Sequence, residues 1–138
     1  MGNISDYLAN ELLDHIFGKG AYTPPTNIYV ELSTTAPTDA GTNVTPPSGN
    51  NYSRKQTAPA DWNASSVGSG RIIDNANAIE FAEASGSWGT LSHFALFDAA
   101  SGGNFLGWGA LATSKAVGAG DTARFAAGDL DVSFTASA

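Results

Sequence analysis

The sequence predicts a mainly β protein: a single-domain β-sandwich or barrel of roughly seven or eight short antiparallel strands with one N-terminal α-helix. Three observations carry that prediction. Apolar residues alternate with polar ones in short runs, and Gly, Pro, Asn and Asp clusters punctuate them, as in half-buried strands joined by turns. Charged residues are only 14% of the 138-residue chain, against about 25% in an average globular protein, which suits short strands better than long solvated helices. The stretch Gly86–Leu111, GSWGTLSHFALFDAASGGNFLGWGAL, reads as a hairpin about which the rest is arranged.

In that hairpin, residues 91–111, the apolar runs Leu91–Phe97 and Phe105–Leu111 flank a reversal at 98–104, whose glycines and Asn104 tolerate positive φ. The Gly86–Leu111 stretch holds two of the three tryptophans and three of the seven phenylalanines, so much of the core is expected from it. Gly107 and Gly109 flank Trp108 on the return strand, and glycine inside a strand marks a bulge or a place where a backbone or ring comes close.

Ahead of the hairpin, Ser5 is placed to cap a helix over about residues 5–17, with Asp6 at the positive end of its dipole and Gly18 to stop it. Leu8, Leu12 and Ile16, with Leu13 and Phe17, give one apolar face, which is expected to pack on the chain's own sheet or to dock on a partner. His15 falls near the C-terminal end, as a surface or capping residue. After Pro24–Pro25, Ile28, Val30 and Leu32 alternate with polar residues in a strand. Residues 34–51 form a long Thr/Pro/Gly/Asn tract, expected to be a mobile loop or an arm that orders on a neighbouring subunit.

Tyr52–Thr57 reads as a short polar strand in which Arg54 and Lys55 discourage edge pairing. Residues 58–71 read as a second long loop, with Trp62 a plug for one end of the core or an exposed anchor. Ile72 and Ile73 lead out of it, and Asn77–Ala82 supplies another strand with Ile79 and Phe81 on one face. Beyond the hairpin, Thr113–Val117 and Thr122–Ala126 flank a turn at 118–121, and 130–135 closes the chain as an alternating strand. A single domain over 1–138 accommodates all of this, since a chain of this length can bury about two-thirds of its unfolded surface.

Composition also narrows function. A net charge of −7 with six Lys and Arg opposes binding to a phosphate backbone, so no nucleic-acid partner is expected. Without cysteine there is no disulfide, thiolate metal site or thiol nucleophile. No apolar run approaches the ~20 residues of a spanning helix and the N-terminus lacks an export signal, so a soluble chain beginning near Met1, with no membrane partner, is expected.

Catalytic patterns are thin: His93 and Asp98 with a nearby serine give the residue types of a hydrolase triad without its spacing or a G-x-S-x-G elbow. Gly68–Gly70 and Gly118–Gly120 lack the residues of a phosphate loop and read as turns. Asp39, Asp61 and Asp74 fall in loops without the spacing of a calcium loop, and four N-x-[ST] triplets, at Asn3, Asn43, Asn51 and Asn63, are expected by chance. No catalytic, cofactor-binding or metal-ligating residue is assigned. Tyr52, Trp62 and Trp108 could stack on sugars if exposed, against the alternative that they are core residues.

The segments NISDYLANELLDHIF, TNIYVELSTTAPTDAGT, SWGTLSHFALFDAASGGNFLGWGAL and FAAGDLDVSF, in this order, resemble a family of small tailed-bacteriophage virion proteins commonly described as tail fibre or tail proteins. The resemblance implies a non-enzymatic structural protein of the virion, assembled in the bacterial cytoplasm, that needs no cofactor. An acidic, cysteine-free β-domain with long arms favours an accessory capsid decoration, or cement, protein on the outer surface of the head. The alternative is a tail-fibre or tail-tip protein that binds host-surface carbohydrate. Its expected partners are the major capsid protein or other virion subunits and copies of itself, as a trimer or dimer.

Overall fold

The structure, a computed structural model, describes residues 2–67 and 71–134. The central hairpin is its organising pair: β7 (Gly89–Phe97) and β8 (Phe105–Val117) in the order of strands given below run antiparallel. Asp98 closes the turn between them by accepting from the Asn104 backbone N–H at 2.7 Å and side-chain amide at 2.9 Å, while Gly102 and Gly103 take φ of 61° and 78°. β8 runs well past the predicted Leu111. The register steps from Leu91↔Lys115 to His93↔Ala110, so Ser92 alone stands opposite residues 111–114, a wide bulge. The separate strand expected at Thr113–Val117 is therefore the far end of β8, bent and not broken.

In chain order the elements are β1 (Gly2–Ile4), α1 (Asp6–Ile16), β2 (Ile28–Ser33), β3 (Lys55–Thr57), a 3-10 turn (Pro59–Asp61), β4 (Ser66–Val67), β5 (Arg71–Asp74), β6 (Ile79–Glu80), β7, β8, β9 (Arg124–Phe125) and β10 (Asp131–Ser133). Eight strands form one sheet in the order β3-β2-β7-β8-β1-β10-β5-β4, and β6 pairs with β9 in a second, small sheet. The protein is mainly β, as predicted, with ten strands among the described residues.

One pairing corrects the all-antiparallel expectation: β1 runs parallel to β10, with Gly2↔Val132 and Asn3↔Ser133. A parallel pair needs a long crossover, and here almost the whole chain supplies it. β1 itself is absent from the sequence reading. It fits because Gly107 and Gly109 leave room: a Cβ on Gly109 would lie 2.7 Å from Gly2 Cα and 2.8 Å from the Phe94 ring, and one on Gly107 would lie 2.7 Å from Asn3 O. The glycines thus admit both a backbone and a ring, as their place in the strand predicts.

The core lies between one face of the large sheet and the small one. Val30, Leu32, Phe94, Leu96 and Val132 are buried with Ile79, Phe81, Trp88 and Leu130. Phe125 of β9 meets Phe94 edge-on at 6.1 Å, and Tyr52, Phe81 and Trp88 pack as an aromatic trio with centroids 5.0–6.4 Å apart. Asn75, fully buried, ties the layers: its Oδ1 accepts from Leu130 N, and its amide donates to the Asn77 and Ala126 carbonyls.

The loops differ from expectation. The tract 34–51 lies on its own domain: Thr34 N donates to Thr45 O, Thr35 Oγ1 to Asn43 O, Asn50 Nδ2 to Ser87 O and Asn51 Nδ2 to Glu83 O. The expected loop 58–71 contains the 3-10 turn, β4 and a bridge from Trp62 to Asn75; Gly68–Gly70 lie outside the described residues, as does Thr135 of the expected final strand. Arg54 is no edge guard. Its Nε donates to Glu31 Oε2 at 2.6 Å, its Nη1 donates to the Ala99 and Gly102 carbonyls at 2.8 Å, and its guanidinium lies 3.7 Å over Phe97.

The helix begins where Ser5 predicts. Ser5 Oγ accepts from Leu8 N at 3.1 Å and donates to Phe105 O at 2.6 Å, which welds the helix start to β8. Its apolar face packs on the sheet only in part. Tyr7 and Leu8 touch the core, but no helical residue is fully buried, and Leu13, Ile16 and Phe17 are 51%, 75% and 72% exposed. The sheet offers a surface to the first turns and the helix runs on beyond it.

Candidate functional site

Because Gly107 and Gly109 face the core side of β8, Trp108 between them faces the other side of the sheet. Directly across on β1 stands Asn3 and directly across on β7 stands Ala95, with His93 two positions along β7, opposite Ala110. The loop 34–42 completes the surround. Trp108 Nε1 donates to Asp39 Oδ1 at 2.8 Å, Asp6 N donates to Asp39 O at 3.0 Å, and Gly41, at φ 82°, packs against Phe105. Trp108 is half-buried, whereas Asn3 and Asp39 are exposed. The result is a shallow surface in which an aromatic ring is fixed by a carboxylate and bordered by an amide and an imidazole.

His93 packs beside Trp108, ring centroids 6.0 Å apart, and its Nδ1 bonds Ser92 Oγ at 2.7 Å. Burial lowers its pKa below the ordinary imidazole value, which keeps the ring neutral near pH 7. Ser92 and His93 resemble a nucleophile and base, but the acid named from the sequence does not join them: Asp98 gives both carboxylate oxygens to Asn104 in the turn. The structure leaves His93 and Asp98 in separate hydrogen-bond sets.

The other residues singled out in the sequence are dispersed. Tyr52 is internal, its hydroxyl accepting from Leu32 N at 2.8 Å, and burial with the nearby Glu31 raises its pKa well above the phenol value. Trp88 is buried, donating to Asn50 O. Trp62 is half-buried against the core and donates to Thr57 Oγ1 at 2.9 Å, which makes it a plug. Asp61 accepts from Ala58 N and the Asn77 amide, bonds that lower its pKa, and Asp74 accepts from the Asn63 amide. Asp74 lies at the end of β5 and not in a loop; it and Asp61 both tie the 58–63 segment to residues 74–77, whereas Asp39 holds the 34–42 loop to Trp108. Among the described residues no group of three or more His, Asp or Glu gathers in a way that could hold a metal ion. The loop half of the Trp108 site escaped sequence reasoning: Asp39 is 69 positions away, and no local pattern links it to the ring.

A two-layer β-domain whose hydrogen-bonding side chains tie loops to strands, with an aromatic residue presented on an open sheet face, has the make-up of a structural protein that meets its surroundings through its surface. A family model described as podophage GP4 fiber I protein gp80 matches residues 3–133, and the chain belongs to that family. It is a bacteriophage virion structural protein. A comparison with curated proteins gave no match.

Proposed function

We propose that this chain is a tail-fibre component that contacts host-surface carbohydrate through the face centred on Trp108. The family match over residues 3–133 carries the assignment to the fibre; it fits the tail-fibre alternative better than the capsid-decoration role that composition alone favoured. The geometry supports the ligand class. A half-exposed indole offers a flat apolar face for the C–H side of a pyranose, and Asp39, Asn3 and His93 supply acceptors and donors at its rim. Its partners are then other virion subunits and copies of itself.

Immunogold labelling of purified virions tests the location: gold confined to the tail supports the fibre, and gold spread over the head returns the assignment to capsid decoration. Adsorption of virions carrying Trp108→Ala tests the surface. Loss of one stacking contact is expected to reduce adsorption roughly tenfold, with Trp108→Phe retaining part of it because a ring remains. Unchanged adsorption by a folded Trp108→Ala protein would sink the carbohydrate role.

A further inference from the structure

Trp108 belongs to a row of paired residues that crosses the sheet on the side away from the core. Glu31 on β2, Ala95 on β7, Trp108 on β8, Asn3 on β1 and Ser133 on β10 stand opposite one another in turn, and residues paired in this way share a face. Asn3 Oδ1 accepts from Ser133 Oγ at 3.2 Å, so the neighbours of the indole on that side are polar and uncharged. Asp39 brings a full charge to the edge of the ring: its Oδ1 accepts from Trp108 Nε1 at 2.8 Å, and the residue is exposed. Farther along the same face stand two more carboxylates, Asp131 on β10 and Asp74 opposite it on β5.

The six Lys and Arg of the chain are all placed where they leave these charges unanswered. Arg54 reaches the row at Glu31, but its Nε donates to that carboxylate and its Nη1 to the Ala99 and Gly102 carbonyls, and its side chain is 12% exposed. Lys115 stands opposite the buried Leu91 and shares its core-side face, and Arg124 lies in the small sheet that packs on that face. Lys55 is on β3 and Arg71 on β5, each three strands from β8, about 14 Å at 4.8 Å per strand. Lys19 follows α1, whose 11 residues carry the chain about 16 Å from Ser5. His93 is uncharged near pH 7, since burial lowers its pKa. An anion brought to the indole therefore meets a carboxylate with no counter-charge beside it, whereas an ammonium finds a charged acceptor.

We propose that Asp39 makes the Trp108 face selective for glycans that carry a free amino group and closed to glycans that carry carboxylate, phosphate or sulfate. The sugar ring stacks on the indole, and its ammonium donates to the Asp39 carboxylate, of which Trp108 uses only Oδ1. This selectivity rests on the carbohydrate reading of the face and adds to it the charge class of the ligand.

Retention of the full chain on an array of immobilised glycans tests it, with matched sets that differ only in one group: free amine, N-acetyl, hydroxyl, and carboxylate or phosphate. The amino member of a set is expected to hold the protein at least about fivefold better than its N-acetylated form, and the acidic member at least about fivefold less well than the neutral one. Both differences should shrink as salt is raised from about 0.05 to 0.5 M. Asp39→Asn keeps an oxygen to accept from the indole but removes the charge, and should bring the amino and N-acetyl forms to within about twofold of each other. Such a ratio is insensitive to loss of folded protein, which weakens both ligands alike. An Asp39→Asn variant that keeps the wild-type ratio, or acidic glycans held through Trp108 as well as neutral ones, would overturn the selectivity and leave the carbohydrate reading standing. Retention of no glycan at all, or retention that Trp108→Ala does not reduce, would remove that reading and the selectivity together.

Discussion

Arg54 shows how much one side chain holds together. It lies between β2, the 98–104 turn and the face of Phe97, with its own side chain and that of Glu31 only 12% and 6% exposed. Arg54→Ala leaves Glu31 buried without its partner, and an uncompensated buried charge is expensive, so a loss of about 3 kcal/mol is expected in urea unfolding. Arg54→Ala with Glu31→Gln should recover part of that loss. A drop of less than about 1 kcal/mol for the single variant would show that water already screens the pair. His93 sets a pH dependence. Its folded pKa lies below the ordinary value of 6.5 because burial opposes the charged ring. The unfolded chain therefore takes up the proton first as pH falls, and stability, complete above about pH 6.5, declines through that value until the folded pKa is passed. Urea midpoints measured between about pH 7.5 and 5 should fall for the wild type and stay flatter for His93→Gln.

At the scale of elements, Ser5 is the joint between α1 and β8. It is 1% exposed and its hydroxyl both caps the helix and donates to Phe105 O. Ser5→Ala loses the cap and strands a buried carbonyl, a cost of about 2 kcal/mol; chemical denaturation gives the loss, and helical circular dichroism should weaken with it. The helix was legible because a cap, a four-residue apolar spacing and a terminal glycine are local signals. How much of its face would find a surface was not, since periodicity records amphipathicity and not the extent of the sheet beneath. The hairpin was legible for the same local reason, through Asp98, Gly102, Gly103 and Asn104. β1 was invisible: Gly2-Asn3-Ile4 carries no alternation, and it is a strand only because Gly109 and Gly107 clear a path for it. The Trp108 site was half legible. Gly107 and Gly109 marked a close approach beside Trp108, without deciding whether its ring is exposed or in the core, but Asp39 acquires its role from a contact 69 positions away, where sequence spacing is silent.

For the whole molecule, β1 is the hinge of the large sheet. It stands between β8 on one side and β10 on the other, so among the described residues the hydrogen-bonded ladder passes from β3-β2-β7-β8 to β10-β5-β4 through its three residues. A chain ended after Gly128 lacks β10, and both β1 and β5 lose a neighbour. Such a chain is expected to show no cooperative unfolding transition by urea or heat, whereas retention of a sharp transition would mean that the two halves of the sheet stand alone. No helix among the described residues is long and apolar enough to cross a membrane.

The parallel pairing of β1 with β10 also sets a timetable. Gly2 is synthesised well before its partner Val132, about 130 positions later, and its other neighbour, Gly109, is also distant. β1 must therefore wait, unpaired, until its distant partners have been made, and closing so long a loop makes for high contact order and slow folding. Meanwhile α1 can form early but has only an unfinished sheet to rest on. A nascent chain in this condition shows its neighbours an unpaired strand and an apolar helix at once, the two features that make an incomplete chain prone to misassociate before its sheet closes.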